Sequence, residues 1–240
     1  MGKEDCIKPQ NSGIDKSVKI DYNSFIDIII LIKEMNFFEF REKTKELPYF
    51  ETKELRLILG ADFSSTTLVN LKNWMNRGHL IMLRRGLYVF SEIKNGIDIM
   101  ALATKIYPPS YVSLETALGF YGIIPEAVFT TTSVTTRKTK EFKNSVGNFS
   151  YQKIKKEAFG GFETKKQDGI SFNLALPEKA LVDFLYLNRN ILNGELAQFQ
   201  SYRFNEDFKF NINKLINFAE AFQNKKVTEL TNKFIKYYVA

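Results

Sequence analysis

Cysteine and histidine are almost missing from this 240-residue chain, with Cys6 and His79 the only examples. A lone cysteine makes no internal disulfide, and one cysteine with one histidine leaves no Cys/His set for zinc. Asp and Glu remain as metal ligands, and a histidine-based triad would have to use His79 itself. Long apolar runs are missing too. The longest, Phe25 to Ile32, is broken by Asp27 and falls well short of the roughly 20 residues a membrane helix needs. A soluble, cytoplasmic chain with no membrane partner is expected. Residues 1–20 are polar, carry both signs of charge and have no apolar signal core, so they read as a flexible arm and not a secretion signal. Neither a Gly-rich phosphate loop nor a pair of histidines is present, so no cofactor and no metal are expected.

What is there is an ordinary globular composition, 44% hydrophobic and 25% charged, with a net charge of +7. The excess sits in two stretches. Residues 51–90 hold six Lys and Arg against three Asp and Glu (+3), and residues 137–166 hold nine against three (+6). Either stretch could meet a polyanion, because cations that neutralise phosphates release counterions. Lysines on a solvated strand edge would account equally well for the second.

Periodicity predicts an amphipathic helix over Asn23–Phe40, ended by Pro48. Thr52 is placed to cap a short helix, Lys53–Leu59, with Gly60 as its stop. Ser64 or Ser65 caps a second helix to about Arg77, stopped by Gly78. On that helix Leu68, Leu71, Trp74 and Met75 form the expected core face, with Thr67, Asn70, Asn73 and Arg77 opposite. Leu80–Phe90 then reads as two strands around Arg84-Arg85-Gly86, a hairpin with a basic tip. Helix, turn, helix and basic hairpin is the order of a winged helix-turn-helix. The candidate DNA contacts are Ser65, Thr66, Thr67, Asn70, Lys72, Asn73 and Arg77 on the second helix and Arg84 and Arg85 on the wing. Arg137, Lys138, Lys140 and Lys143 of the second basic stretch join them. Asn and Arg suit adenine and guanine edges, and wing arginines suit phosphate. A protein-interaction module of the same shape is the alternative. His79 reads as a helix-end or strand residue.

After residues 91–96, where apolar periodicity lapses, a helix over Asp98–Tyr107 is closed by Pro108-Pro109. Ser113 caps another helix, Leu114–Tyr121. Strands are expected at Val128–Thr136, Phe149–Ile154, Phe162–Lys166 and Ile170–Leu174, the last two flanking Asp168-Gly169. Pro177 opens a helix with Ala180, Leu181, Phe184 and Leu185 inward, and from Asn211 the pattern is helical to the end. The expected class is α+β, an N-terminal winged helix-turn-helix plus a C-terminal mixed α/β domain with a helical tail. Its divisions are a 1–20 arm, a 21–92 DNA-binding domain and a 97–240 C-terminal domain. A fragment from Gly96 is expected to carry its own core.

Four short motifs in order carry a resemblance: Arg85-Gly-Leu-Tyr-Val89; Tyr111-Val-Ser-Leu-Glu-Thr-Ala-Leu118 with Tyr121-Gly-Ile-Ile-Pro125; Thr130–Thr139; and Pro177-Glu-Lys-Ala-Leu-Val-Asp183. Over about residues 48–190 the chain resembles the AbiEi family of type IV toxin-antitoxin antitoxins. The resemblance implies a winged helix that represses its own operon by binding inverted repeats in duplex DNA. It also implies a C-terminal domain that counters a nucleotidyltransferase toxin without a stable complex. The polar residues within those motifs, Ser113, Glu115, Thr116, Thr136, Arg137, Glu178, Lys179 and Asp183, are the antitoxicity candidates. The arm and helix before Pro48 and the tail after Asn190 depart from the pattern and leave an orphan regulator open. A metal-dependent nuclease built on Glu126, Glu163 and Lys165 is the remaining alternative. Asp183, between Val182 and Phe184, either lies on an exposed stripe or caps a buried group.

Overall fold

The computed structural model describes residues 35–93, 96, 98–125, 129–167 and 169–239. The arm at 1–20 and most of the helix expected over Asn23–Phe40 lie outside them, as do Glu126, Val128 and Asp168. The fold is α+β, with one three-stranded and one six-stranded sheet.

The first helix, α1 (Phe37–Lys43), starts where Asn36 accepts from the Glu39 amide and Glu39 accepts in return from the Asn36 amide. Strand β1 (Phe50–Glu51) and helix α2 (Leu55–Leu59) follow, and Gly60 ends α2 at φ 54°. Helix α3 (Ser65–Asn76) begins after Ser64, whose amide donates to Thr67 Oγ1 at 3.0 Å. Gly78, at φ 76°, ends it. The Gly78 amide donates to Met75 O and the His79 amide to Trp74 O, the paired bonds of a left-handed helix stop. His79 is a helix-end residue, stacked on Phe37 at 4.4 Å.

The face of α3 differs from the expected one by about one residue. Thr67, Leu71 and Trp74 are buried, whereas Leu68 is exposed. Thr67 is inward with its hydroxyl accepting from the Ser64 amide at the helix start, and Leu68, about 100° further round the helix, falls outside the packed face.

Strands β2 (Leu80–Arg84) and β3 (Leu87–Phe90) form the hairpin, with β1 paired to β3 at Phe50–Tyr88. Successive side chains on a strand point to opposite faces, and here both faces are covered. Leu80, Tyr88 and Phe90 enter a small aromatic core with Phe40, Phe50, Leu55, Leu71 and Trp74. Leu83, Leu87 and Val89 enter the larger core with the rest of the chain. The larger core therefore begins before residue 96, and a fragment starting there leaves three of its buried side chains behind.

In the larger sheet the order is β6-β7-β5-β4-β9-β8, from strands β4 (Ser110–Val112), β5 (Thr130–Thr135), β6 (Lys140–Lys143), β7 (Asn148–Lys153), β8 (Phe162–Gln167) and β9 (Ile170–Ala175). Pairs β4–β9 and β5–β7 are parallel and the others antiparallel. Between the strands expected at Val128–Thr136 and Phe149–Ile154, Lys140–Lys143 thus adds an edge strand, β6. Helix α4 (Ile99–Ile106) covers one face, where Tyr151 donates to Ala103 O. Helices α5 (Leu114–Phe120) and α6 (Pro177–Leu187) pack together, and Tyr111 donates to Asp183 of α6. Tyr151 pairs with Ser133 while Tyr111 pairs with Val134, its chain neighbour, so α4 and α6 lie on opposite faces of the sheet.

Three helices complete the chain, α7 (Leu196–Ser201), α8 (Ile212–Ala221) and α9 (Lys225–Tyr238). The helical pattern expected from Asn211 onward is two helices, α8 and α9. Gln223 adopts φ 45°, and the Asn224 side chain accepts from the Val227 amide to restart the helix.

Candidate nucleic-acid interface and the buried polar cluster

The residues singled out from the sequence fall into three places. On α3, Ser65, Lys72, Asn73 and Arg77 are exposed, and Lys72 and Arg77 have no ion-pair partner among the described residues. Thr66 is half-buried and shares a 2.6 Å hydrogen bond with Ser64 Oγ. Two candidates are committed inward. Thr67 is 2% exposed, and the Asn70 carboxamide donates to Met35 O at 3.3 Å.

The hairpin tip divides its two arginines. Arg84 donates from Nε to Ile106 O (2.8 Å), from Nη1 to Arg85 O (3.1 Å) and from Nη2 to Glu51 Oε1 (3.1 Å). All three nitrogens are used, two of them to tie the tip to α4 and β1, so Arg84 is not a free basic contact as expected. Arg85 is exposed and unpaired among the described residues.

Of the second basic stretch, Arg137, Lys138, Lys140 and Lys143 lie on or just before β6, an edge strand, whereas Lys153 is on β7 and Lys165 and Lys166 are on β8 at the opposite edge. Arg137 donates to Pro108 O at 3.1 Å and lies over the Tyr107 ring at 4.2 Å. Lys140 lies over Phe142 at 4.8 Å, while Lys138 and Lys143 are exposed. Just past β6, the Asn144 carboxamide donates to Leu83 O at 3.2 Å. That bond brings the end of β6 against the hairpin, so the first part of the +6 stretch adjoins the +3 stretch although some fifty residues separate them.

Three of the antitoxicity candidates converge. On α6, Lys179 and Asp183 stand one turn apart and form an ion pair, with side chains 1% and 0% exposed. Ser113 Oγ donates to the other Asp183 oxygen at 2.8 Å, and so does the Tyr111 hydroxyl at 2.9 Å. Ser113 holds the N-cap position of α5, but its side chain serves Asp183 and not the helix amides. Leu114 beside it sits at φ 59°, a left-handed conformation costing about 1–2 kcal/mol for a side chain with a Cβ. Its burial and the Ser113–Asp183 bond hold it there. Burial pushes the Asp183 carboxyl above the usual aspartate range, against the opposing pull of Lys179, Ser113 and Tyr111. Burial and then the Asp183 charge push the Tyr111 phenol well above its ordinary value. Closed to solvent, this cluster is a fastening between β4, α5 and α6. Of the two readings left open for Asp183, the structure gives the buried one.

The other candidates do not join it. Glu178 accepts from the Asn211 amide at 2.9 Å, and Thr116 Oγ1 accepts from the Thr132 amide at 2.8 Å. Glu115 and Thr136 are half-buried, and Arg137 lies at the far side of the sheet. Sequence reasoning missed Tyr111 as a partner of Asp183; the i,i+4 spacing of Lys179 and Asp183 on a helix with no polar face was the available signal.

For the nuclease alternative, Lys165 pairs with Glu163 at 2.7 Å on the surface of β8, and Glu126 lies outside the described residues. Among the described residues no group of three or more His, Cys, Asp or Glu could hold a metal ion, and no helix is long and apolar enough to cross a membrane. No protein-family model matches the chain, and no curated protein matches it.

Proposed function

We propose that the protein is a winged helix-turn-helix regulator that binds duplex DNA through α3 and Arg85, and that it acts as autorepressor and antitoxin against a nucleotidyltransferase toxin in the cytoplasm. The observation that carries the DNA half is the outward side of α3. There Lys72, Asn73 and Arg77 stand unpaired among the described residues, on a helix fixed from behind by Leu71 and Trp74. The exposed Lys138, Lys140 and Lys143 on and just before β6, which Asn144 joins to the hairpin, support a longer cationic track than α3 alone provides. The antitoxin half rests on the resemblance of the four motifs, and no catalytic step is assigned. DNA binding is tested by titrating the full chain against duplex at several salt concentrations. Lys72→Ala with Arg77→Ala should weaken every sequence and reduce the salt slope by about 1 for each phosphate no longer neutralised. An unchanged slope refutes the assignment. Co-expression with an adjacent nucleotidyltransferase gene tests the antitoxin half, and absence of rescue leaves an orphan regulator.

A further inference from the structure

Helix α3 carries apolar side chains on two sides. Leu71 and Trp74 face the small core, but Leu68 and Val69 face out, 47% and 58% exposed. At about 100° per residue, positions 65, 69, 72 and 76 fall on one face of the helix, with 68 and 73 on its flanks. The outward surface therefore runs from the Ser65 hydroxyl through Leu68 and Val69 to the Lys72 ammonium and the Asn73 and Asn76 carboxamides.

Two features say what covers it. First, the apolar part is two aliphatic side chains, with cations and amides that are unpaired among the described residues on either side. That is far short of the roughly 800 Å² per partner of a stable protein interface. Second, the charge of the helix and its end is positive: Lys72 and Arg77 are exposed and unpaired among the described residues, and Ser65–Arg77 holds no Asp or Glu. A polyanion that also offers small apolar knobs at the depth a helix reaches is duplex DNA. In the major groove the apolar group displayed by the base pairs is the thymine 5-methyl.

We propose that Leu68 and Val69 read thymine methyl groups, so that A·T pairs lie opposite the middle of α3 with Lys72 and Asn73 contacting the flanking phosphates and base edges. This rests on the proposed binding of duplex DNA, and it assigns selectivity to two residues that periodicity alone would send into the core or leave unused.

The test uses the full chain and a pool of random duplexes. Sequences enriched by the parent protein are remade with deoxyuridine in place of thymidine, which removes only the methyl. Each contacted thymine so replaced should weaken binding about fourfold, the worth of one buried methyl-sized group. The Leu68→Ala/Val69→Ala double variant should bind the thymidine and deoxyuridine duplexes within about twofold of each other. Its melting temperature should be nearly that of the parent, because both side chains are exposed. Sequence-selective binding that ignores the substitution overturns this inference and spares the DNA reading; so does a double variant with the parent's full sensitivity. A double variant that changes the protein's oligomeric state would make the pair a self-association contact and overturn it too. Absence of duplex binding at any salt concentration overturns both.

Discussion

Helices α3 and α6 both place charged residues within an apolar pattern, and the structure uses them in opposite ways. On α3 and at its end, Lys72 and Arg77 are exposed and have no ion-pair partner among the described residues. On α6, every residue from Glu178 to Tyr186 is buried, and each charge on it is engaged: Glu178 by the Asn211 amide, Lys179 and Asp183 by one another. A helix apolar all round must pack all round, and a charge inside such packing persists only when paired. Partnerless polar groups are therefore the better guide to what this molecule binds. Polar groups embedded in apolar motifs, the criterion that marked Ser113, Lys179 and Asp183 from the sequence, lead here to what holds it together.

The largest effect that sharpens this contrast is at the ion pair. Asp183→Ala leaves the Lys179 ammonium buried without its counterion and should cost about 3–5 kcal/mol in urea unfolding. Lys72→Ala should change stability by less than about 0.5 kcal/mol. Lys179→Met with Asp183→Leu should recover the part of the loss that is due to the unpaired ammonium, but not the part that comes from leaving the Ser113 and Tyr111 hydroxyls without an acceptor. No recovery at all would mean that the charges do more than fasten.

Next comes Tyr111→Phe, which removes one hydroxyl from a charged acceptor and should cost about 1.5–3 kcal/mol at pH 7. Its pH dependence has a definite sign. The Tyr111 and Tyr151 phenols are pushed well above the ordinary value and Tyr121 to about 12, in each case first by burial. A raised phenol contributes stability that is complete below pH 10, the unfolded value, and is lost as pH climbs toward the folded one. Stability should fall steadily from pH 10 to 12, less steeply in the Tyr111→Phe variant. Equal slopes would break the link between this phenol and the core.

The smallest effect separates the hairpin arginines. Arg84→Ala strips the Ile106 carbonyl and Glu51 of a charged donor and should cost about 1–3 kcal/mol with a lower melting temperature. Arg85→Ala should leave melting unchanged and weaken duplex binding. If the two behave alike, the hairpin tip is not divided between structure and binding as its hydrogen bonds indicate.

Much of this was legible. The limits of α3 follow from Ser64 and Gly78, the hairpin from Arg85-Gly86, and the start of α6 from Pro177, because capping and turn chemistry are local. The facing of α3 was not, since Thr67 lies inward in place of Leu68, a difference of about one residue that periodicity does not resolve. The fate of Arg84 was hidden because its partners, Glu51 and Ile106, are distant in sequence. The run Leu-Tyr-Val-Phe in β3 did announce itself: four consecutive apolar residues on a strand mean that both faces are covered. Taken so, it would have moved the hairpin from a projecting tip to a buried partition.

That partition governs how the molecule comes apart. Strand β3 lends Tyr88 and Phe90 to one core and Leu87 and Val89 to the other, so neither can melt without baring a face of the same strand. Cooperativity then extends across both cores, and the chain should lose its structure in one all-or-none transition. Trp74, the single tryptophan, sits in the smaller core and reports that side alone by fluorescence, whereas circular dichroism weighs the whole chain. The two signals should trace one curve, because the strand between the cores denies either side a private unfolding.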